Sequence, residues 1–393
     1  MKVLCVLGKH QYGKPALGVG TEYAAFTAAL NRLGHEVVHF ESWNRTLYSS
    51  YAESNRLLLE MVEAERPDVL LSVQRDYEIW LETLKAIQAR GDVATVSWTT
   101  DDSWKYKRTS RFIGRYYDAM TTTYDFVTNE YAREGIPVLL TQWAANAEWL
   151  QEPLPASQCT YGASFVGAAY GDRKEQVEAL RKRGIEVECF GAGWPRGPVA
   201  AEEIPRIMRQ SVVSLNFASG FTGGVNQVKA RTFEVPGAGG LLLTDYAPGL
   251  ERLYNIGEEI LVYRDLNELL ESVAWVLNNP SRRDAMALAG FLRTKRDHTY
   301  DQRMQEVLEF ALSAKRGRSG RCCPNFDGAL RQHRLRPWHR WLRELLVAGG
   351  TFVWGQQRGP RAARRLVFEA SLRIFGERTY SAAGLPGRMF PEQ

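Results

Sequence analysis

Short apolar runs alternate with longer stretches of helical period over the first 310 residues. KVLCVL (2–7), HEVVHF (35–40), PDVLLSV (67–73) and VATVSWTT (93–100) have the length and composition of buried strands. YDAMTTT (117–123) and PVLLTQW (137–143) suggest two more. The intervening segments read as helices. The first carries Tyr23, Phe26, Leu30 and Leu33 on one side, opens at Thr21 as the expected cap and stops at Gly34. Others are expected over about residues 53–65 and 79–89. After the polar, proline-bearing QEPLPASQ (151–158) the pattern restarts. Strands are expected at YGASFVG (161–167), IEVECFG (185–191), VVSLNFA (212–218), LLLT (241–244) and EILVY (259–263). The helix RKEQVEALRKRG, with Asp172 as its expected cap, lies between the first two. Helices LNELLESVAWVLNN and a long stretch over residues 280–312 follow the last.

Strands alternating with helices of this length predict parallel sheets covered on both faces, with ligands at the carboxyl ends of the strands. The reading is two tandem α/β halves, residues 1–150 and 151–314, followed by a different segment, 315–393.

Composition narrows this picture only a little. Five cysteines in 393 residues exclude a disulfide scaffold. Cys5, Cys159 and Cys189 sit in apolar, strand-like surroundings, and Cys322–Cys323 lacks the paired spacing of a zinc site. No run approaches the apolar length of a membrane span, and the first apolar run is too short for a signal peptide. A cytoplasmic setting is therefore expected. Charge changes the picture more. Residues 315–393 hold 16 Lys/Arg against 5 Asp/Glu, whereas the whole chain carries only +5. The body is mildly acidic and the tail strongly basic, which suggests an anionic partner for the tail, a membrane surface or a nucleic acid. The tail opens with the basic KRGRSGR (315–321) and continues with two basic amphipathic helix candidates, RPWHRWLRELLV and RAARRLVFEASLRIF.

The densest chemistry is NQVKARTFEVPGAGG (226–240), after the glycine-rich SGFTGGVN. Lys229 and Arg231 stand at the opening of a helix, where free N–H groups and the dipole already favour an anion. An arginine there can grip two phosphate oxygens at once. Glu234, three residues on, shares a helix face with Arg231. It either accepts hydrogen bonds from something such as ribose hydroxyls or simply pairs with the arginine. Gly167 ends a strand where backbone can approach a phosphate or sugar closely, or is an ordinary strand-end turn. His10 follows the first strand, and Asp101 and Asp102 follow the fourth. A neutral imidazole or a carboxylate at those ends could deprotonate a hydroxyl. A helix cap is the plainer use of Asp102, and adjacent carboxylates point in different directions, against a metal pair. Trp43, Trp98, Trp104 and Trp143 stand at strand ends or loops, for sugar stacking or for core packing.

Five pieces in order carry a resemblance: Arg231-x-Phe233-Glu234, GAGGLLLTD (237–245), GEEILVY (257–263), RDLNELLE (264–271) and HTYDQR (298–303). With RLGHEV and WTTDDSW in the first half, they resemble the CgeB-type glycosyltransferases of the GT-B superfamily, over about 310 residues. The resemblance implies two Rossmann-like domains facing across a cleft, an acceptor domain first and a nucleotide-sugar donor domain second. It implies that Lys229, Arg231 and Gly167 bind the donor diphosphate and that Glu234 holds the ribose. Asn216, Asn226, Gly223 and Gly224 are expected near the donor sugar, and His10, Asp101 and Asp102 near the reacting hydroxyl. The glutamate that begins this motif in related transferases is replaced here by Asn226 or Gln227. His298 is expected to steady the last helix rather than to do chemistry. No cofactor and no metal are expected, because protein cations and a helix start can stabilise the leaving group. The expected partners are a nucleotide sugar, a glycan, lipid-linked or protein acceptor, and an anionic membrane surface for residues 315–393; no nucleic-acid module is recognisable. The alternative is a non-catalytic module of the same fold that binds a nucleotide sugar or glycan without turnover.

Overall fold

A computed structural model describes residues 1–218, 226–316 and 325–391. The chain divides into two compact units, Met1–Thr141 with Met304–Gln393, and Gln142–Arg303.

The first unit is built on six strands: β1 Lys2–Leu7, β2 Glu36–Glu41, β3 Val69–Ser72, β4 Ala94–Trp98, β5 Ala119–Thr122 and β6 Val138–Leu140. All neighbours are parallel, in the order β2-β1-β3-β4-β5-β6. β3, β4 and β5 are buried at every position, which is why they read as unbroken apolar runs rather than alternating ones. Helices Thr21–Arg32, Tyr51–Glu65 and Leu81–Ala89 close the crossovers. The first of these is not capped by Thr21. Gly20 occupies the cap position, without a side-chain bond, and Thr21 is the first helical residue.

The segment from Phe326 onward packs on this unit. Phe326 and His333 lie against Trp80, and Phe368 lies 6.1 Å from Tyr77, ring to ring. Tyr380 is wholly buried, its hydroxyl donating to Arg108 O, and Glu82 accepts from the Ala382 N–H at 3.0 Å. Arg108 and Glu369 form an ion pair. Most of the basic stretch 315–321 lies outside the described residues.

The second unit has five parallel strands: β7 Tyr161–Val166, β8 Val187–Phe190, β9 Ser211–Asn216, β10 Leu242–Asp245 and β11 Leu261–Tyr263. Their order is β11-β10-β9-β7-β8. Phe165, Leu215, Leu243 and Val273 are among its buried apolar side chains. The long stretch 280–312 is two helices, Pro280–Asp297 and Tyr300–Arg316, separated at His298 and Thr299. His298 is buried among Phe233 and Tyr254; its Nε2 faces Leu253 O at 2.9 Å and its Nδ1 faces an Arg303 N–H at 3.0 Å. It thus fixes the start of the helix Tyr300–Arg316.

Candidate functional site

In a parallel sheet the carboxyl ends of all strands share one edge. In the second unit that edge carries the loop Gly167–Asp172 after β7, the strand ends Asn216 and Asp245, and the segment leading into the helix Arg231–Gly237.

Three cations converge on the loop after β7. Arg231 Nε donates to Val166 O at 3.0 Å. Arg173 Nη1 donates to Ala168 O at 2.9 Å, and its Nη2 reaches Tyr170 Oη at 2.7 Å and Phe217 O at 3.0 Å. Lys229 Nζ lies 3.2 Å from the same Tyr170 hydroxyl. Arg173 also stacks on the Tyr170 ring, 3.8 Å from its centroid. Burial and the neighbouring Arg173 push the Arg231 guanidinium down to about 10. Its own burial pushes Arg173 down as well. Cations held together out of water at such a cost are what an anionic ligand would relieve.

Glu234 shares the helix face with Arg231, and its carboxylate accepts from the Arg231 guanidinium. The carboxylate is buried, so this is no solvated surface pair. Gly167 makes room for packing. A Cβ on it would lie 2.7 Å from Phe165 Cζ, and its carbonyl accepts from Trp194 Nε1 at 2.9 Å. Its N–H is bound to Phe190 O at 2.8 Å, which leaves Gly167 a shape role at this loop rather than an N–H for a phosphate. Asp172 holds the cap position of its helix without a side-chain cap bond; its carboxylate accepts from Gln176 instead.

Asn216, at the end of β9, donates to Thr244 Oγ1 at 2.9 Å and is buried. Asn226 donates to Tyr246 O at 2.8 Å. Gly223 and Gly224 lie outside the described residues. Asp245, at the end of β10, accepts from the Ala218 N–H, and burial raises its carboxyl to about 6. Lys229 works against that rise. Arg173 and Asp245 were missed as site residues. Arg173 reads as one charge among many in RKEQVEALRKRG. Asp245 closes the piece GAGGLLLTD, which carries the resemblance but gives that carboxylate no role.

The corresponding edge of the first unit carries His10, in the loop after β1, and Asp101 and Asp102, after β4. Among the described residues, the buried Nδ1 of His10 has no hydrogen-bond partner. Asp102 is 1% exposed and saturated: Thr99 and Tyr131 hydroxyls donate at 2.8 Å each, and Ser110 at 2.5 Å. Burial nevertheless raises its carboxyl. It is a tie between the strand end and two helices. The capping position belongs to Asp101, whose side chain makes no cap bond and is partly exposed. Glu22, absent from the sequence reading, joins this edge from the first turn of the helix Thr21–Arg32. Its carboxyl is raised by burial and by Asp101, against Arg75 and Lys105.

Trp43 packs on the glycine loop: a Cβ on Gly8 would lie 2.3 Å from its ring. Trp98 is buried in the core and Trp104 is 45% exposed.

Residues 173–309 match the glycosyl transferase-like family model. The match takes in Arg173, Asn216, Asn226, Lys229, Arg231, Glu234 and Asp245. Among curated proteins, none matches the sequence. Solved structures do match the fold. Sucrose-phosphate synthase from Thermosynechococcus elongatus is 12% identical, with a TM-score of 0.52 over 80% of this chain and 100% of its own. HepE of Anabaena, in complex with UDP-glucose, is 12% identical, with a TM-score of 0.52 over 79% of this chain and 99% of its own. A glycosyltransferase from Rickettsia africae is 10% identical, with a TM-score of 0.52 over 80% and 98%. The glycosyl transferase-like region thus sits in a chain of GT-B fold, two parallel sheets with flanking helices and a helical C-terminal region.

Proposed function

We propose that this chain is a glycosyltransferase that moves a sugar from a nucleotide-diphosphate sugar to an acceptor hydroxyl. The observation that carries this is the convergence of Arg173, Lys229 and Arg231 on one loop, inside the region that matches the glycosyl transferase-like model. In this reading the three cations bind the donor diphosphate and stabilise the charge that develops as it leaves, without a metal ion. Glu234 orients Arg231 and offers its second oxygen to the ribose. Asn216 and Asn226 border the donor sugar.

The acceptor oxygen attacks the anomeric carbon, the bond from that carbon to the diphosphate oxygen breaks, and the hydroxyl proton passes to a base. The candidates for that base are His10 and Asp101, with Asp102 holding the strand end beside Asp101. The acceptor is a cell-envelope glycan, a lipid-linked sugar or a protein. HepE was solved with UDP-glucose, which supports uridine as the first nucleotide to test. Residues 315–393 meet an anionic membrane surface on the cytoplasmic side.

Calorimetric titration with UDP, GDP, dTDP and CMP, each with EDTA, tests the donor site. Binding of one diphosphate that survives EDTA is expected; no binding to any of the four overturns the reading. The departure at Asn226 favours a second reading, a nucleotide-sugar-binding module without turnover. Donor hydrolysis measured with the nucleotide identified above separates the two.

A further inference from the structure

The helix Pro337–Phe375 is not one rod. Gly355 interrupts it with φ 78° and ψ 169°, a conformation that favours glycine. In a straight helix, residues 350 and 359 would stand about 13.5 Å apart along the axis. Here a Cβ on Gly350 would lie 2.7 Å from Gly359 O, and one on Gly359 2.4 Å from Thr351 N. The chain therefore folds back on itself as a helical hairpin, with the two glycines letting the limbs touch near the tip. Further down, Leu342, Leu346 and Val347 of the first limb join the cluster of Ala363 and Val367 on the second. The base of the second limb is anchored by Phe368 and Leu372 on the core of the first unit.

The tip is apolar and bare. Residues 352–358 are all exposed, with Phe352 at 92%, Val353 at 62% and Trp354 at 52%. An apolar stripe continues down one face of the first limb. Trp338, Trp341, Leu345 and Phe352 fall within about 60° of one another at 100° per residue, and each is more than half exposed. That is some 21 Å of unpartnered aromatic and aliphatic surface. The exposed charges beside it are mostly positive. Arg340, Arg358, Arg361 and Arg365 are exposed along the two limbs, against Glu344.

We infer that this hairpin is a membrane-insertion device. It rests on the reading of residues 315–393 as the membrane-facing part of the proposed transferase, and it names the segment and the mode. Phe352, Val353 and Trp354 enter the acyl boundary, the tryptophans of the stripe sit at the headgroup level, and the arginines meet anionic headgroups. Among the described residues no helix is long and apolar enough to cross a membrane, so the hairpin lies in one leaflet. The excess of four exposed arginines over Glu344 favours an anionic lipid surface over a second copy of this chain, whose own arginines would face them.

The test is sedimentation of the full chain with phosphatidylcholine vesicles, with and without phosphatidylglycerol. The wild type is expected to pellet with the anionic vesicles. Phe352→Glu with Trp354→Glu, at exposed positions where folding is not at stake, is expected to weaken that binding about tenfold or more. Arg358→Glu with Arg361→Glu is expected to remove the preference for phosphatidylglycerol. Wild-type protein that ignores both vesicles, or a tip variant that binds as the wild type does, overturns the inference. So does a dimer in light scattering that the tip variant splits, in a protein that leaves vesicles alone. UDP titration of the same samples reports the donor site separately, so the failure of either reading is visible by itself.

Discussion

Arg231 and Arg173 donate to carbonyls only two residues apart in the chain, Val166 O at 3.0 Å and Ala168 O at 2.9 Å. One short loop therefore fixes two guanidinium groups that repel each other, and an anion between them would remove the repulsion. Arg231→Ala is expected to weaken UDP binding by about 2 kcal/mol, roughly 30-fold. Calorimetry checks this, and unchanged affinity would exclude Arg231 from the diphosphate site. Lys229→Met should lose less, about fivefold, because a lysine contributes a point charge rather than a fork.

Glu234 ties its helix to Arg231 from a buried position. Glu234→Gln keeps the shape but loses the charge facing the guanidinium. A drop in stability of about 1–3 kcal/mol is expected, together with a larger loss for UDP than for its 2′-deoxy analogue. Thermal melts and paired titrations measure the two effects. Equal losses for both nucleotides would remove the ribose contact and leave the ion pair.

Asp245 gives a prediction with a definite sign. Its folded carboxyl is raised to about 6 by burial, above the usual 3.8. Between those values the folded state holds more protons than the unfolded chain, so this group's contribution falls as pH rises from about 4 to 6. Asp245→Asn should therefore stabilise the protein at pH 7, on the order of 1–3 kcal/mol, and make no difference below pH 4. Denaturant titrations at the two pH values decide it.

Two histidines, His298 buried and His333 half-buried, act the other way. His298 and His333 are each lowered to about 4, chiefly by burial. Between about 4 and the usual 6.5 the unfolded chain binds more protons, so stability falls as pH falls through that window. His333 also bonds Ala382 O at 3.1 Å, within the C-terminal packing. Loss of hydrogen-exchange protection at pH 5 around residues 380–390 and around the start of the helix Tyr300–Arg316 is the expected signature.

Asp102 stands apart from the other candidate carboxylates because three hydroxyls already fill it. Asp102→Ala is expected to cost about 2–4 kcal/mol by leaving those donors unmet. Asp101→Asn should leave the melting temperature unchanged, while a transfer assay reads any part it has in proton removal.

The apolar runs made both sheets legible, because strands covered on both faces cannot hide their composition. The helix-opening pair Lys229 and Arg231 with Glu234 was legible for a similar reason, since three charged groups in six residues beside a glycine-rich loop is a local signal. Arg173 was not, because it is held against Phe165, on β7, and Phe217, just past β9, which only the folded sheet brings together. The cap position failed at Thr21, while Asp172 holds the cap position of its helix without the side-chain bond, which spacing cannot foresee. The hairpin had a signal that went unused. Gly349, Gly350, Gly355 and the pair Gly359–Pro360 interrupt what otherwise reads as helix, and two of these glycines are where the limbs meet.

The first unit is assembled from both ends of the chain, residues 1–141 and 304–393, while the second is a single uninterrupted segment. A ribosome working at roughly 5–20 residues per second therefore releases the second unit whole while the first still lacks its last helices. Tyr77, Trp80 and Tyr116 wait for their C-terminal neighbours Phe368, His333 and Glu377, which are made after the second unit. A chain truncated after residue 310 and released should thus present a protease-resistant second unit and a first unit that still offers bare aromatic surface to chaperones.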